Sequence, residues 1–213
     1  AVRAGEQRMT SIFERALGED FTRLHPMMQR RFGIGLDAAQ ACVGRGTMFS
    51  IRRGPWWTVP FLQIGRLRNI LIPDSGTDVP FRIENYPYVD PFGRETVTFV
   101  REYTVRGRQR RFDATMVLDA GRIVDYLGTH QHLAVDLELR VDEHGGLVLT
   151  SEAQRFYEGP IGFRFPLLFS GRARLHEYYD EEDGRFHVDL EVRNHRFGFL
   201  FGYEGWFTCE FPE

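Results

Sequence analysis

The chain has 213 residues, a formal net charge of −3 and an aromatic content of 14%, with 19 phenylalanines. The slight negative charge excludes a nucleic-acid binder that works through a basic face, and a hydrophobic content of 42% excludes a disordered chain. All 27 basic residues are arginine, which excludes enzymes that need a Schiff-base lysine or a P-loop lysine. The apolar runs are too short for a membrane-spanning helix, so we expect none.

Helical spacing is confined to the first part of the chain. Ser11 and Glu14 have the spacing of a capping box before an apolar run, and Gly18 suits the end of that helix. Pro26 suits the first turn of another short helix, which Gly33 would end. We expect both helices to pack on a sheet.

From Cys42 onward, apolar and polar residues alternate with a period of two, which predicts roughly nine or ten antiparallel strands. Residues 119–121 and 181–184 are predicted hairpin turns. A meander of this length must close or curl to protect its edges. The predicted fold is mainly β (α+β): an antiparallel barrel or half-barrel cup, covered by the short N-terminal helices. Residues 1–9 are predicted to be a flexible extension, and residues 10–213 a single ligand-binding domain.

Four segments resemble a known bacterial family. They are LHPMMQRRFG at 24–33, FVREY at 99–103, GRIVDYLG at 121–128 and GYEGW at 202–206. Their order and spacing resemble the domain of unknown function DUF4166 over about residues 10–211. The resemblance implies a single domain that stands alone or is fused to a saccharopine-dehydrogenase-like oxidoreductase. It assigns no catalytic residue.

The best candidate metal ligands are His130, His132 and Asp136. Residues two apart in a strand point the same way, so the three side chains would share one face, as in the cupin pattern. The second half of that pattern is missing, because Phe165 stands where its next histidine would be. We therefore predict neither a metal centre nor a cofactor, and the alternative to a site is a polar stripe facing solvent.

Two arginines, Arg101 and Arg155, lie on apolar faces of predicted strands. A buried arginine needs a partner. Each could form a structural ion pair or hold the carboxylate or enolate of a ligand. The predicted ligand-binding residues are Tyr103, Arg155, Tyr157, Tyr203 and Trp206.

The predicted catalytic residues are Arg101, Glu158 and Glu204. Each glutamate lies between a tyrosine and a glycine, and glycine lets the backbone approach a ligand closely. A buried carboxylate with a shifted pKa could act as a general acid or base. The alternative for each glutamate is a position on the surface or in a turn.

The aromatic residues concentrate in the last third of the chain, which favours a cavity lined by rings and anchored by arginine. We expect a cofactor-independent cyclase or isomerase of bacterial secondary metabolism that acts on an apolar metabolite. The alternatives are a non-catalytic lipid or metabolite binder that partners an oxidoreductase, and a metal-dependent cupin-like enzyme. The low cysteine count favours the cytoplasm. Cys42 and Cys209 could pair only if the two ends of the chain meet, and a homodimer is left open.

Overall fold

Ten antiparallel strands of the described chain form a closed barrel in this computed structural model. The structure describes residues 10–37, 42–56, 74–127, 133–156, 171–195 and 198–211, so the predicted extension at residues 1–9 lies outside it. Each strand pairs with its neighbour in sequence, and the first strand pairs with the last. The mainly β prediction is confirmed, and the sheet closes as a barrel rather than remaining an open cup.

The strands range from 6 to 14 residues in length. They are β1 Cys42–Arg53, β2 Gly76–Val89, β3 Glu95–Val105, β4 Arg108–Asp119, β5 Arg122–Leu127, β6 Leu133–Val141, β7 Leu147–Phe156, β8 Gly171–Asp180, β9 Arg185–Asn194 and β10 Gly198–Glu210. Before them come α1 Ile12–Leu17, a 3₁₀ turn Gly18–Arg23 and α2 Pro26–Phe32. In the described part of the chain, every helix is too short or too polar to cross a membrane.

Alternation and tight turns explain the barrel. In β3 the buried positions Val97, Phe99 and Tyr103 alternate with more exposed ones, so one face of the strand packs into the interior. The β4–β5 hairpin turns through Ala120 and Gly121, both at positive φ, as a two-residue hairpin turn requires. Closing the sheet removes the unpaired edges that a ten-strand meander would otherwise expose.

The seam between β1 and β10 depends on a glycine. A Cβ added at Gly46 would lie 1.9 Å from the carbonyl oxygen of Trp206, so the two backbones approach too closely for any other residue. This contact lets the first and last strands pair and completes the barrel.

The predicted capping interactions start and end α1. The Ser11 side chain accepts a hydrogen bond from the Glu14 backbone N–H at 3.0 Å. Gly18 follows with a φ of 57°, a conformation that favours glycine. Both features agree with the helix boundaries that the sequence predicts.

The helices cover one end of the barrel. The Phe13 ring packs edge-on against Phe32 of α2 and Phe99 of β3, with centroids 4.9 and 6.1 Å away. The His25 backbone N–H donates to the Gly145 carbonyl in the β6–β7 turn at 3.0 Å. We call this end, where the β6–β7 and β8–β9 turns also lie, the helix-covered end.

Candidate ligand-binding site

Arg101 projects into the barrel from β3. Its side chain is buried, with the guanidinium carbon 5.4 Å from the centroid of the Phe99 ring and 5.1 Å from that of Phe112. The register pairs Arg101 with Phe112 on β4, so the strand pairing holds the cation against that ring. Among the described residues, Arg101 Nη1 has no hydrogen-bond partner.

Asp125 also lies in this interior. It lies on β5, where it pairs in register with Met116 of β4 and Val135 of β6, and it is buried. Burial raises the pKa of the Asp125 carboxyl to about 6, and the positive charge of Arg101 opposes part of this rise. Among the described residues, its Oδ1 atom has no hydrogen-bond partner. The two charges therefore act on each other, yet each retains a polar atom without a partner.

Two buried tyrosines lie near enough to Arg101 for its charge to act on them. The rings of Tyr103 on β3 and Tyr203 on β10 are 5.5 Å apart between centroids, and both residues are at most 1% exposed. Burial raises the pKa of both hydroxyl groups, so both stay protonated and can donate hydrogen bonds. Phe81 packs 5.1 Å from Tyr103, and Phe201 packs 6.1 Å from Tyr203. The result is a mostly aromatic wall that carries a few polar groups.

This arrangement suits a ligand that forms a hydrogen bond with each of the two atoms without a partner, Arg101 Nη1 and Asp125 Oδ1. A buried guanidinium N–H and a buried carboxylate oxygen are each costly without a hydrogen-bond partner. A carbonyl, carboxylate or enolate oxygen would accept from Arg101, and a donor or an acidic C–H would face Asp125. A carboxyl group with a pKa near 6 can also exchange a proton close to neutral pH.

A second buried arginine, Arg31 of α2, lies at the helix-covered end. Its side chain is ion-paired with Glu177 of β8, which is 4% exposed. Arg31 Nη1 also donates to the Sγ atoms of Cys42 and Cys209, each at 3.5 Å. The guanidinium carbon lies 4.8 Å from the centroid of the Phe207 ring. This cation therefore has a full set of polar partners and joins α2 to three strands.

Comparison with known proteins gives the family. The family model described as "Domain of unknown function (DUF4166)" matches residues 24–207. The chain belongs to the DUF4166 family. It is also 29% identical over 204 residues to the uncharacterized protein YndH of Bacillus subtilis strain 168, covering 95% of this chain and 98% of that protein. The resemblance that the four sequence segments indicate is confirmed.

Three of the predicted site residues come together in this DUF4166 barrel. Arg101, Tyr103 and Tyr203 all face the interior. Glu204 and Trp206 lie on the outer face, because they alternate with Tyr203 along β10. Glu204 is exposed, and the Trp206 ring lies under Arg185 with 3.9 Å from the guanidinium carbon to the ring centroid. The predicted catalytic Glu204 and the predicted ligand-binding Trp206 therefore lie on the opposite side of the sheet from Tyr203.

Other predicted positions fall outside the described part of the chain. They are the side chain of Arg155 and the residues Tyr157, Glu158, His130 and His132. Of the predicted metal ligands only Asp136 is described, and it is buried on the face opposite to Asp125.

One group of described side chains has the spacing of metal ligands. The ligand atoms of Asp180, Asp183 and His187 lie within 4.8 Å of one another at the β8–β9 turn. His187 already hydrogen-bonds Asp183 at 3.0 Å. This group is separate from the interior site and contains none of the predicted metal ligands.

Asp125 is the site residue that the sequence prediction missed. The signal is present, since Asp125 lies two positions after Ile123 and two before Leu127, where the same face of the strand would otherwise carry only apolar residues. The Arg31–Glu177 pair left no such signal, because 146 residues separate its partners.

Proposed function

We propose that this DUF4166 barrel binds an apolar small molecule with one carbonyl or carboxylate oxygen and isomerises or cyclises it by proton transfer. One observation carries the proposal: Arg101 Nη1 and Asp125 Oδ1 are both buried inside the barrel without a hydrogen-bond partner among the described residues. In a structural ion pair, a buried donor and a buried acceptor of this kind hydrogen-bond each other. In a ligand site, they have no protein partner until the ligand binds.

The roles follow from the chemistry of each group. Asp125 removes a proton from the carbon next to the substrate carbonyl, and the C–H electron pair moves to form an enolate. Arg101 donates to the enolate oxygen, where negative charge develops. Asp125 then returns the proton to another carbon of the conjugated system. Alternatively, the enolate carbon attacks a second carbonyl of the same molecule and closes a ring, the electron pair of that C=O moves to its oxygen, and the resulting alkoxide takes the proton from Asp125. Tyr103 and Tyr203 donate hydrogen bonds, and the aromatic wall holds the apolar part of the substrate.

A binder without turnover is the second candidate. The guanidinium of Arg101 in an apolar interior suffices to hold an anionic metabolite, and binding alone does not need Asp125. Such a protein could deliver its ligand to an oxidoreductase, the partner that the family resemblance implies. The two candidate functions differ in the role of Asp125, which is the general base of the enzyme and is not needed by the binder.

The binding step is tested with 8-anilinonaphthalene-1-sulfonate, a fluorescent probe with an apolar ring system and one anionic group. We expect Arg101→Met to weaken its binding at least about 10-fold, since a hydrogen bond to a charged group contributes about 1.5–3 kcal/mol. Arg185→Met is the matched control, because Arg185 lies over Trp206 on the outer face. Equal affinity of the wild type and Arg101→Met for the probe would remove the basis of the proposal.

The catalytic step is tested on molecules that copurify with the chain. Small molecules released by denaturing the wild type, and absent from Arg101→Met, are incubated with fresh protein in D₂O. The wild type should incorporate deuterium into them at least about 100-fold faster than Asp125→Asn, as expected for a lost general base. Bound molecules that gain no deuterium with the wild type would leave the non-catalytic binder as the function.

A further inference from the structure

The two cysteines of the chain meet at the helix-covered end. Gly44 of β1 pairs in register with Cys209 of β10, and Cys42 lies two residues before Gly44, on the same face of the sheet. The Sγ atoms of Cys42 and Cys209 both lie 3.5 Å from Arg31 Nη1, and both cysteines are free thiols. The sequence condition for pairing, that the two ends of the chain meet, is therefore fulfilled.

The surroundings make the two thiols chemically unequal. The Cys209 thiol donates a hydrogen bond to Cys42 and the Arg31 cation attracts its thiolate, so the pKa of Cys42 is lowered to about 7, although burial opposes this. The same hydrogen bond and burial raise the pKa of Cys209. Glu177 is also close to Cys42, and its negative charge opposes ionisation of Cys42. Ionisation is thus favoured at Cys42 and disfavoured at Cys209, so the pair offers a thiol that ionises readily beside one that stays protonated.

Access suits a small reagent, whereas forming the disulfide requires a shift of the backbone. Cys42 is buried, whereas Cys209 is partly exposed, so a small oxidant would reach Cys42 past the Cys209 side chain. Diagonal neighbours on adjacent strands are more widely spaced than an unstrained disulfide prefers. Cys42 is the first residue of β1; it pairs in register with Asn85 of β2, whereas the pairing with β10 begins at Val43. A disulfide formed under strain is also the kind that reductants reverse readily.

We propose that Cys42 and Cys209 form a modification site that a hydroperoxide oxidises to a reversible intramolecular disulfide. This site does not depend on the function proposed for the barrel interior. It would change the anchorage of α2, because Arg31 would lose its interaction with the Cys42 thiolate.

The reaction balances in two steps. The Cys42 thiolate attacks one peroxide oxygen: an S–O bond forms, the O–O bond breaks, and the departing alkoxide or hydroxide takes up a proton. The Cys209 sulfur then attacks the sulfenic sulfur of Cys42: an S–S bond forms, the S–O bond breaks, and the oxygen leaves as water with the thiol proton of Cys209. Two thiols are oxidised and one hydroperoxide is reduced to an alcohol or water.

The test uses the full reduced chain and hydrogen peroxide near stoichiometric concentration. After alkylation of the remaining thiols under denaturing conditions, intact mass should show a monomer with both cysteines protected and two hydrogen atoms fewer than the reduced chain. Dithiothreitol should restore both alkylatable thiols. Persistence of two free thiols in the wild type, or disulfides only between chains, would overturn the proposal without any variant being needed.

Single variants test the order of events. Cys209→Ser should stop at a sulfenic acid on Cys42, trapped by dimedone, and Cys42→Ser should leave Cys209 oxidised at least about 10-fold more slowly. Circular dichroism of each variant identifies loss of fold. If the two folded variants oxidise at equal rates, the Cys42 and Cys209 thiols are equally reactive, and the assigned order of the two steps is wrong.

Discussion

Two arginines in the described part of the chain are buried, and their surroundings are opposite in kind. Arg31 at the helix-covered end is ion-paired with Glu177 and donates to two cysteine sulfur atoms. Arg101 in the barrel interior lies against two aromatic rings, and its Nη1 lacks a hydrogen-bond partner among the described residues. A buried cation with full pairing holds elements together, whereas one with an open donor is available to a ligand. Burial alone therefore does not distinguish a fully paired arginine from one with an open donor.

The largest effect is expected from removing the paired arginine. Arg31→Met should lower the free energy of unfolding by about 3–5 kcal/mol, because Glu177 would remain buried without its partner. Urea unfolding followed by circular dichroism measures this change. A loss below about 1 kcal/mol would mean that Glu177 finds another partner and that the pair is not what holds α2.

The next largest effect is expected on the pH dependence of stability, and it comes from Asp125, the buried acid that interacts with Arg101. The pKa of Asp125 is raised from 3.8 to about 6 in the folded chain. Between these values the native state keeps a proton that the unfolded state has lost, so this residue lowers stability as the pH rises. The change amounts to about 3 kcal/mol, since one pKa unit equals about 1.4 kcal/mol.

Asp125→Asn removes this titration. The stability of the variant relative to the wild type should therefore increase by about 2 kcal/mol from about pH 4 to pH 7, where most of this change falls, measured by urea unfolding at each pH. Other titrating groups are common to both chains and cancel in the difference. Parallel stability profiles would show that Asp125 is not the buried acid described above.

The smallest effect is expected from replacing Arg101, the buried arginine with an open donor, by methionine. Arg101→Met should change the free energy of unfolding by no more than about 1 kcal/mol, because a buried charge with an open donor contributes little net stability. Asp125 would take up a proton instead of remaining as an unpaired anion. A loss as large as that of Arg31→Met would assign Arg101 a structural role and contradict the comparison.

Local patterns were sufficient to predict much of this fold. The alternation after Cys42 predicts the strands, Ser11 and Gly18 predict the limits of α1, and residues 119–121 and 181–184 predict two of the hairpins. These predictions succeed because each depends on interactions within a few residues. The same alternation places Arg101 and Tyr103 on one buried face of β3.

Local sequence patterns could not predict the contacts between residues on different strands. Glu204 shares its sequence context with Tyr203, yet the register of β10 turns it outward. Asp125 approaches Arg101 only because β3, β4 and β5 pair in a fixed register. Recognising either fact requires knowing which strand face is the interior.

The sequence by itself determined a mainly β chain with capped N-terminal helices, an aromatic interior and arginine as its only basic side chain. Only the tertiary structure decided that the sheet closes between β1 and β10 and which buried arginine is fully paired. It also brought Cys42 and Cys209, which are far apart in the sequence, to the guanidinium of Arg31. The physical reason is that local geometry sets the strands, whereas barrel closure sets which distant side chains share the interior.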